Sequence, residues 1–378
     1  MRQTVPLGRV AGIQVGAHWS VLVMVILIGW LLGGQVLPET TPGQPAAAYW
    51  AVAVPCAVTF LAALLAHELA HSLVARRYGV PVTSITLWAL GGVSELGSEP
   101  PTARADLRIA VAGPATSLAA GLIFSGLAAA VRAAGGAGIV VAALGWLAAM
   151  NVLLAAFNLL PGAPLDGGRI LRAVLWRRTG DRAPAAQSAA AAGRAVGAAL
   201  MVLGLAEVLV RASASGLWLS LIGVFVMSAA AAEAAAGTAA AALGGLRVSD
   251  VMTPDPDIGG AWMTVADFID GIALRSAQAG FPVISPGGSL AGVTGVTRLG
   301  RVPPASRSGI TLGQVMDPVP PGYLAAPEDP AAPLLSRPPL ADDLAAIVLS
   351  EGRITGIVTV TRLRQIVRHE ALRAPSAR

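Results

Sequence analysis

His67, Glu68 and His71 interrupt an otherwise apolar run, "FLAALLAHELAHSLVARRYG" at 60–79. Residues four apart share one face of an α-helix. The two imidazoles can therefore bind one Zn²⁺, at about 2.0–2.1 Å each. Glu68 follows the first histidine, where an H-E-x-x-H helix carries the general base that reaches the attacking water. A metal at such a site lowers the pKa of water to about 7 and polarises a carbonyl oxygen, which is what hydrolysis of an amide requires. The plainer alternative is a packing hydrogen bond between His67 and Glu68. A charged residue at the centre of a membrane helix costs about 2.5–3.5 kcal/mol. Such residues persist where they are paired or face a polar cavity, and a shared metal would offset that cost.

A catalytic zinc takes a third protein ligand and keeps one position open. His369 lies near the C-terminus and His18 heads the first apolar stretch, so the better source is "NVLLAAFNLLPGAPLDGGRILRAVLWRR" at 151–178. Pro161 and Pro164 cannot continue a helix, so the chain must bend there. Gly167 and Gly168 permit close backbone approach, and Asp166 can be aimed back at the histidines. Its other reading is an N-cap for the helix that follows; the two roles are compatible.

These residues must be held by the elements around them. Hydrophobic residues make up 55% of the 378 and charged ones 12%, a membrane-protein composition. A bilayer core needs about 20 apolar residues per helix, and six stretches supply them: 17–37, 50–76, 106–131, 138–160, 195–211 and 215–237. The first resembles a signal peptide, but no cleavage site lies close behind it and more spans follow, so it reads as an uncleaved span. With the N-terminus inside, twelve arginines fall in inside segments and two, Arg132 and Arg211, in outside loops. That bias places both termini in the cytoplasm. Between spans two and three, 81–100 is rich in β-branched residues with Gly91–Gly92 near its middle, the signal of a hairpin. Its strand edge could hold an unwound substrate through main-chain hydrogen bonds; a re-entrant packing loop is the alternative.

Lone Cys56 reads as a small core residue. Glu207 stands four before Arg211 and can pair with it, and Glu233 can snorkel to water. No dense basic cluster of the kind a nucleic-acid groove needs is present. Residues 246–378 read as a soluble domain holding an internal repeat: "LRVSDVMTP" at 246–254 matches "ITLGQVMDP" at 310–318, and "LAGVTGVTRL" at 290–299 matches "ITGIVTVTRL" at 354–363, both at an offset of 64. A domain of 1–245 in the membrane and one of 246–378 in water follow, the latter as copies 246–306 and 307–378. The repeat resembles a tandem pair of cystathionine-β-synthase (CBS) domains, a module that often binds adenosyl ligands. Arg298 and Arg362 stand where that family usually has the ribose-binding Asp, and Gly295 replaces one Thr, so a structural or dimerising module is the competing reading.

"HELAH" on a membrane helix, the Gly-Gly hairpin, "AGPATS" at 112–117 and "NLLPGAPLDGGR" together resemble the site-2 protease family of intramembrane zinc metalloproteases, in the sporulation-type branch with a C-terminal CBS pair. The resemblance implies an α-helical, polytopic membrane fold of about six spans with a membrane-associated β-hairpin, joined to a cytoplasmic α/β CBS pair. It implies that His67, His71 and Asp166 hold one zinc per chain, that Glu68 activates water, and that Asn158 orients substrate or stabilises the oxyanion. Asn151, seven residues earlier and on nearly the same helix face, joins the polar lining or bonds between helices. His18 either donates to the site or rests at the interface beside Trp19; with Asn151, Gly91 and Gly92 it is a candidate for substrate contact. The implied client is a single-span protein in a bacterial plasma membrane, of the kind represented by anti-sigma factors and membrane-tethered transcription regulators. A CBS-regulated transporter and an inactive relative of the protease are the rival readings.

Overall fold

The structure is a computed structural model; it describes residues 4–373 apart from 90, 212 and 213. Arg2 of the orientation argument and Leu90 of the hairpin lie outside the described residues. The chain divides into two compact units, Met1–Ala234 and Ala235–Arg378.

Six helices among the described residues are long and apolar enough to cross a membrane: α1 (Ser20–Thr40), α2 (Ala46–Arg77), α3 (Ala103–Ala133), α4 (Gly138–Asn158), α6 (Arg182–Arg211) and α7 (Ala214–Ala242), the last running past the end of the first unit. A shorter helix, α5 (Asp166–Thr179), follows α4. The outer faces carry Leu22, Ile26, Leu122, Ile123, Leu209 and Val210, all well exposed. Apolar patches of that kind belong against lipid rather than water. Each expected span overlaps one observed helix. α6 begins at Arg182 rather than 195, because "RAPAAQSAAAAGR" is rich in alanine, the best helix former, and carries the helix past the apolar stretch.

α6 and α7 approach through small residues. A Cβ added at Gly204 would lie 2.5 Å from the Gly216 carbonyl oxygen, and one at Gly223 would lie 2.6 Å from that of Gly197. Close backbone approach of this kind is how membrane helices associate without a hydrophobic drive between them. It also corrects the pairing expected for Glu207. Its carboxylate accepts from Ser215 Oγ at 2.8 Å, and among the described residues it forms no ion pair with Arg211, since the hydroxyl at the head of α7 lies closer.

Four strands form one sheet in the order β1–β2–β3–β4: β1 (Val5–Val10), β2 (Ile13–Ala17), β3 (Val82–Trp88) and β4 (Gly91–Leu96). β2 and β3 run parallel; the other pairs are antiparallel. The expected hairpin is β3–β4, but Gly91 and Gly92 are not its turn: they pair with Trp88 and Leu87 inside the ladder. Gly91 has φ 142°, a conformation glycine adopts without steric penalty. The β1–β2 hairpin was not foreseen. It turns at Ala11 and Gly12, with φ of 51° and 78°; two positive φ values suit a tight hairpin, but alanine at the first position hides the signal.

In the second unit the repeat is a repeat of structure. Strands β5 (Gly280–Ile284) and β6 (Leu290–Gly295) lead into α8 (Val296–Gly300); strands β7 (Leu344–Ser350) and β8 (Arg353–Thr359) lead into α9 (Val360–Arg373). Each copy lends its opening segment to the other. Thr253 pairs with Ile357 on β8, and Asp317 pairs with Val293 on β6. A Cβ at Gly356 would lie 2.7 Å from Met252 Sδ, and one at Gly292 would lie 2.7 Å from Met316 Sδ. The repeated Met and Gly are thus two halves of one exchanged contact, so both copies must be present for either to close.

Candidate metal centre and catalytic site

α2 is built from "AAAYWAVAVPCAVTFLAALLAHELAHSLVARR", whose helical period puts His67 and His71 on one buried face, 3% and 6% exposed. Asp166 arrives from 95 residues beyond His71. The bend at "LLPGAP" ends α4 at Asn158, and Asp166 opens α5. The glycines after it are required by contact. A Cβ at Gly167 would lie 2.2 Å from the Leu160 carbonyl oxygen, and one at Gly168 would lie 2.2 Å from the Ala163 nitrogen. The N-cap position belongs to Leu165 and has no side-chain cap, so Asp166 does not serve as the cap. Its carboxylate points at the histidines instead.

The three donor atoms form a nearly equilateral triangle. His67 Nε2 and His71 Nε2 are 3.2 Å apart, and Asp166 Oδ2 lies 3.2 Å from the first and 3.1 Å from the second. A tetrahedral zinc with bonds of about 2.0–2.1 Å has ligand–ligand edges of about 3.3–3.4 Å, so the triangle is already the face of such a site. Among the described residues this is the one group of three that could hold a metal ion. The far side of each ring fixes its tautomer. His71 Nδ1 meets the Ile109 carbonyl at 2.6 Å; a carbonyl only accepts, so Nδ1 carries the proton and Nε2 keeps a free lone pair. His67 Nδ1 meets Ser117 Oγ at 2.9 Å, which allows the same assignment. Outer partners of this kind orient metal-binding histidines.

Space for an ion is kept by α3. A Cβ at Gly113 would lie 2.1 Å from His71 Nε2 and 2.6 Å from His67 Nε2. A side chain there would crowd both ring nitrogens, so the glycine leaves a recess beside them. Glu68 stands beside this group on α2, against β4. A Cβ at Gly92 would lie 2.3 Å from Glu68 Cγ, and Ser94 Oγ donates to Glu68 Oε2 at 3.2 Å.

Below the ligands a buried ion cluster ties α5 to α3. Asp106 is fully buried. Arg172 grips it with two hydrogen bonds, 2.8 and 2.9 Å, and Arg169 adds a contact at 3.5 Å. A two-pronged arginine–carboxylate pair fixes orientation as well as position. Arg172 also reaches Glu233 at 3.9 Å, so Glu233 has a partner on α5 rather than water alone.

The other candidates are more scattered. The Asn158 amide donates to the Leu154 carbonyl at 3.0 Å and that of Asn151 to the Leu147 carbonyl at 2.9 Å. Asn151 is fully buried, and its Oδ1 has no partner. His18 Nδ1 meets Ser20 Oγ at 2.9 Å, and its backbone N–H donates to Leu87 O at the end of β3. Among the described residues, no hydrogen bond joins Asn151, Asn158 or His18 to the ligand triangle. Sequence reasoning gave no role to Gly113 and Ser117, although both stand in the quoted "AGPATS", and did not single out Ser94, Ser72 or Asp106.

Two imidazoles and a carboxylate around a recess, with a second carboxylate alongside and membrane-length helices enclosing them, define a metallohydrolase of the membrane interior. The sequence matches the model of peptidase family M50 at residues 55–133 and 131–204. It is 44% identical to "Putative zinc metalloprotease Rip3" of Mycobacterium tuberculosis over 368 residues, 97% of this chain and 93% of that protein. Among solved structures, the site-2 protease from Methanocaldococcus jannaschii matches 61% of this chain and 94% of its own, with 27% identity and a TM-score of 0.43. The CBS domains of a transcriptional regulator from Streptococcus pneumoniae match 32% of this chain and 98% of their own, with 20% identity and a TM-score of 0.27. The chain belongs to peptidase family M50, the site-2 proteases.

Proposed function

We propose that His67, His71 and Asp166 hold one zinc ion per chain, and that the protein uses it to hydrolyse a peptide bond of a membrane protein within or beside the bilayer. The observation that carries this reading is the triangle of donor atoms, with its recess at Gly113, buried inside membrane-length helices. Bound zinc would polarise the scissile carbonyl and acidify the attacking water. Glu68 takes the proton from that water as its oxygen bonds to the carbonyl carbon, then returns a proton to the leaving amine as the C–N bond breaks. Asn158, at the end of the helix leading to Asp166, orients the peptide or steadies the developing oxyanion. His18 lines the approach, while Asn151, buried on the same helix as Asn158, belongs to the polar interior behind it. A helical substrate must unwind to be cut, and the edge of β4, which begins at Gly91 and is outermost among the described strands of its sheet, offers main-chain partners for the extended strand.

The client is a single-span protein, an anti-sigma factor or membrane-tethered regulator, cleaved in signalling. The membrane is a bacterial plasma membrane, and the arginine distribution supports residues 1–245 crossing it with both termini in the cytoplasm. Residues 246–378 act there as a CBS-type structural module and a dimer contact. Side chains of this chain already stand at the helix starts that would take a ligand's anionic group. Asp342 accepts from Thr297 N at 3.1 Å, and Asp343 from Thr361 N at 3.1 Å. Arg298 is paired with Asp317 at 2.8 Å. AMP or ATP is therefore expected to leave the melting temperature of the protein unchanged; a clear rise with either would overturn this part of the reading.

The test of the whole is zinc content and turnover of the purified protein. About one zinc per chain is expected, with cleavage of a single-span model substrate that a chelator abolishes and added zinc restores. Zinc bound without cleavage would favour an inactive relative. Absence of zinc would remove the hydrolase reading and leave the transporter.

A further inference from the structure

Glu68 and Ser72 are four residues apart and share a face of α2. Gly92 and Ser94 are two apart and share a face of β4. Four helical residues advance about 6 Å, and two strand residues about 6.6–6.8 Å. The two spacings match closely enough for both pairs to meet at once. Gly92 offers no Cβ where Glu68 Cγ passes. One step on, Ser72 Oγ donates to Ser94 Oγ at 3.2 Å, and Ser94 Oγ donates to Glu68 Oε2 at 3.2 Å. Ser72 is fully buried, so this short chain of hydroxyls is anchored at its far end. In the sheet β4 has β3 on one side and lies at the edge of the described strands.

We infer that Ser94 is a positioning residue for Glu68, and that through it an extended peptide docked on β4 sets the carboxylate for proton transfer. The inference rests on the protease reading above. Glu68 rides on a long side chain with several rotatable bonds. Hydrogen bonds to its reactive carboxylate restrict where that group can stand, and Ser94 supplies one from the strand that would carry the substrate. Pairing a peptide to the edge of β4 stiffens that strand and with it the hydroxyl, so the base is best placed when substrate is present. Ser72 acts one step back, by orienting the Ser94 hydroxyl.

The experiment uses the full chain, zinc-loaded, in detergent. The probe is a single-span substrate made of an Ala/Leu helix of about 20 residues, with an Asn-Gly pair to permit unwinding. kcat and KM are compared for wild type, Ser94→Ala, Ser94→Thr and Ser72→Ala, beside zinc content and melting temperature. Ser94→Ala is expected to lower kcat by about 10- to 100-fold, the effect of losing one hydrogen bond to a charged group. KM, zinc content and melting temperature should hold. Ser94→Thr, which keeps the hydroxyl, should recover most of the rate, and Ser72→Ala should lose less than Ser94→Ala. A wild-type kcat in Ser94→Ala overturns the inference while the protease reading stands. So does a loss that Ser94→Thr fails to restore, or one that comes with lost zinc or stability. Wild-type protein that binds zinc and leaves the probe uncut overturns the protease reading itself.

Discussion

Gly113→Ala protein is expected to purify without zinc and without proteolytic activity. The new methyl carbon would fall 2.1 Å from His71 Nε2 and 2.6 Å from His67 Nε2. Neither neighbour can yield cheaply. The His71 ring is held by the Ile109 carbonyl and the His67 ring by Ser117, and both anchors lie on the helix that carries position 113. Altering an outer partner of a metal ligand weakens metal binding by about 10- to 100-fold. A carbon placed among the ligands themselves should exceed about 100-fold. Elemental analysis of the purified protein reads the outcome directly. Gly126→Ala is the control on the same helix. A Cβ there meets nothing within 4 Å, and alanine is the better helix former by about 0.8–1.0 kcal/mol. It should keep zinc and activity; if both variants lose zinc alike, the effect belongs to the helix and not to the recess.

Glu68→Gln should do the reverse, keeping zinc and losing turnover. The amide preserves shape and still accepts a hydrogen bond from Ser94, but it cannot take up a proton from water at neutral pH. General-base catalysis contributes about 10²- to 10⁴-fold, and kcat should fall within that range or below. Gly92→Ala should resemble it by another route. Its methyl would stand 2.3 Å from Glu68 Cγ, so the carboxylate must swing away from the ligand triangle while the histidines and Asp166 stay in place. Both variants are read by zinc content beside cleavage rate. Loss of zinc in Glu68→Gln would mean that Glu68 supports the metal site rather than the chemistry. Full turnover in Gly92→Ala would mean that the base has room the structure does not give it.

Much of this site is legible in the chain because its parts are local or punctuated. The His67–His71 spacing fixes a shared helix face. Pro161, Pro164, Gly167 and Gly168 announce a bend that returns Asp166 to them. Glu68 is marked by its neighbour. The helices are legible by length and hydropathy, and the tail by its period of 64. What escaped has a common cause. Gly113, Ser117, Ser94 and Asp106 act through space on residues far away in sequence, and a glycine or serine carries no local signal of the neighbour it serves; Gly92 was marked as a hairpin glycine, but not as the neighbour of Glu68. Glu207 makes the same point from the other side: its nearest basic residue in sequence is Arg211, yet its described partner is Ser215, brought close by the packing of α6 on α7.

The sequence by itself marked the residues proposed to carry the chemistry, the membrane-length helices around them and the two-copy tail, since periodicity, hydropathy and residue type are properties of short stretches. Only the tertiary structure decided how those residues are held. The tautomer of each histidine depends on the acceptor behind it, the recess between them on a missing Cβ from α3, and the position of Glu68 on the face that β4 turns toward α2. Those are contacts between elements separated by dozens of residues, and they exist only once helix faces and strand register have been set against one another.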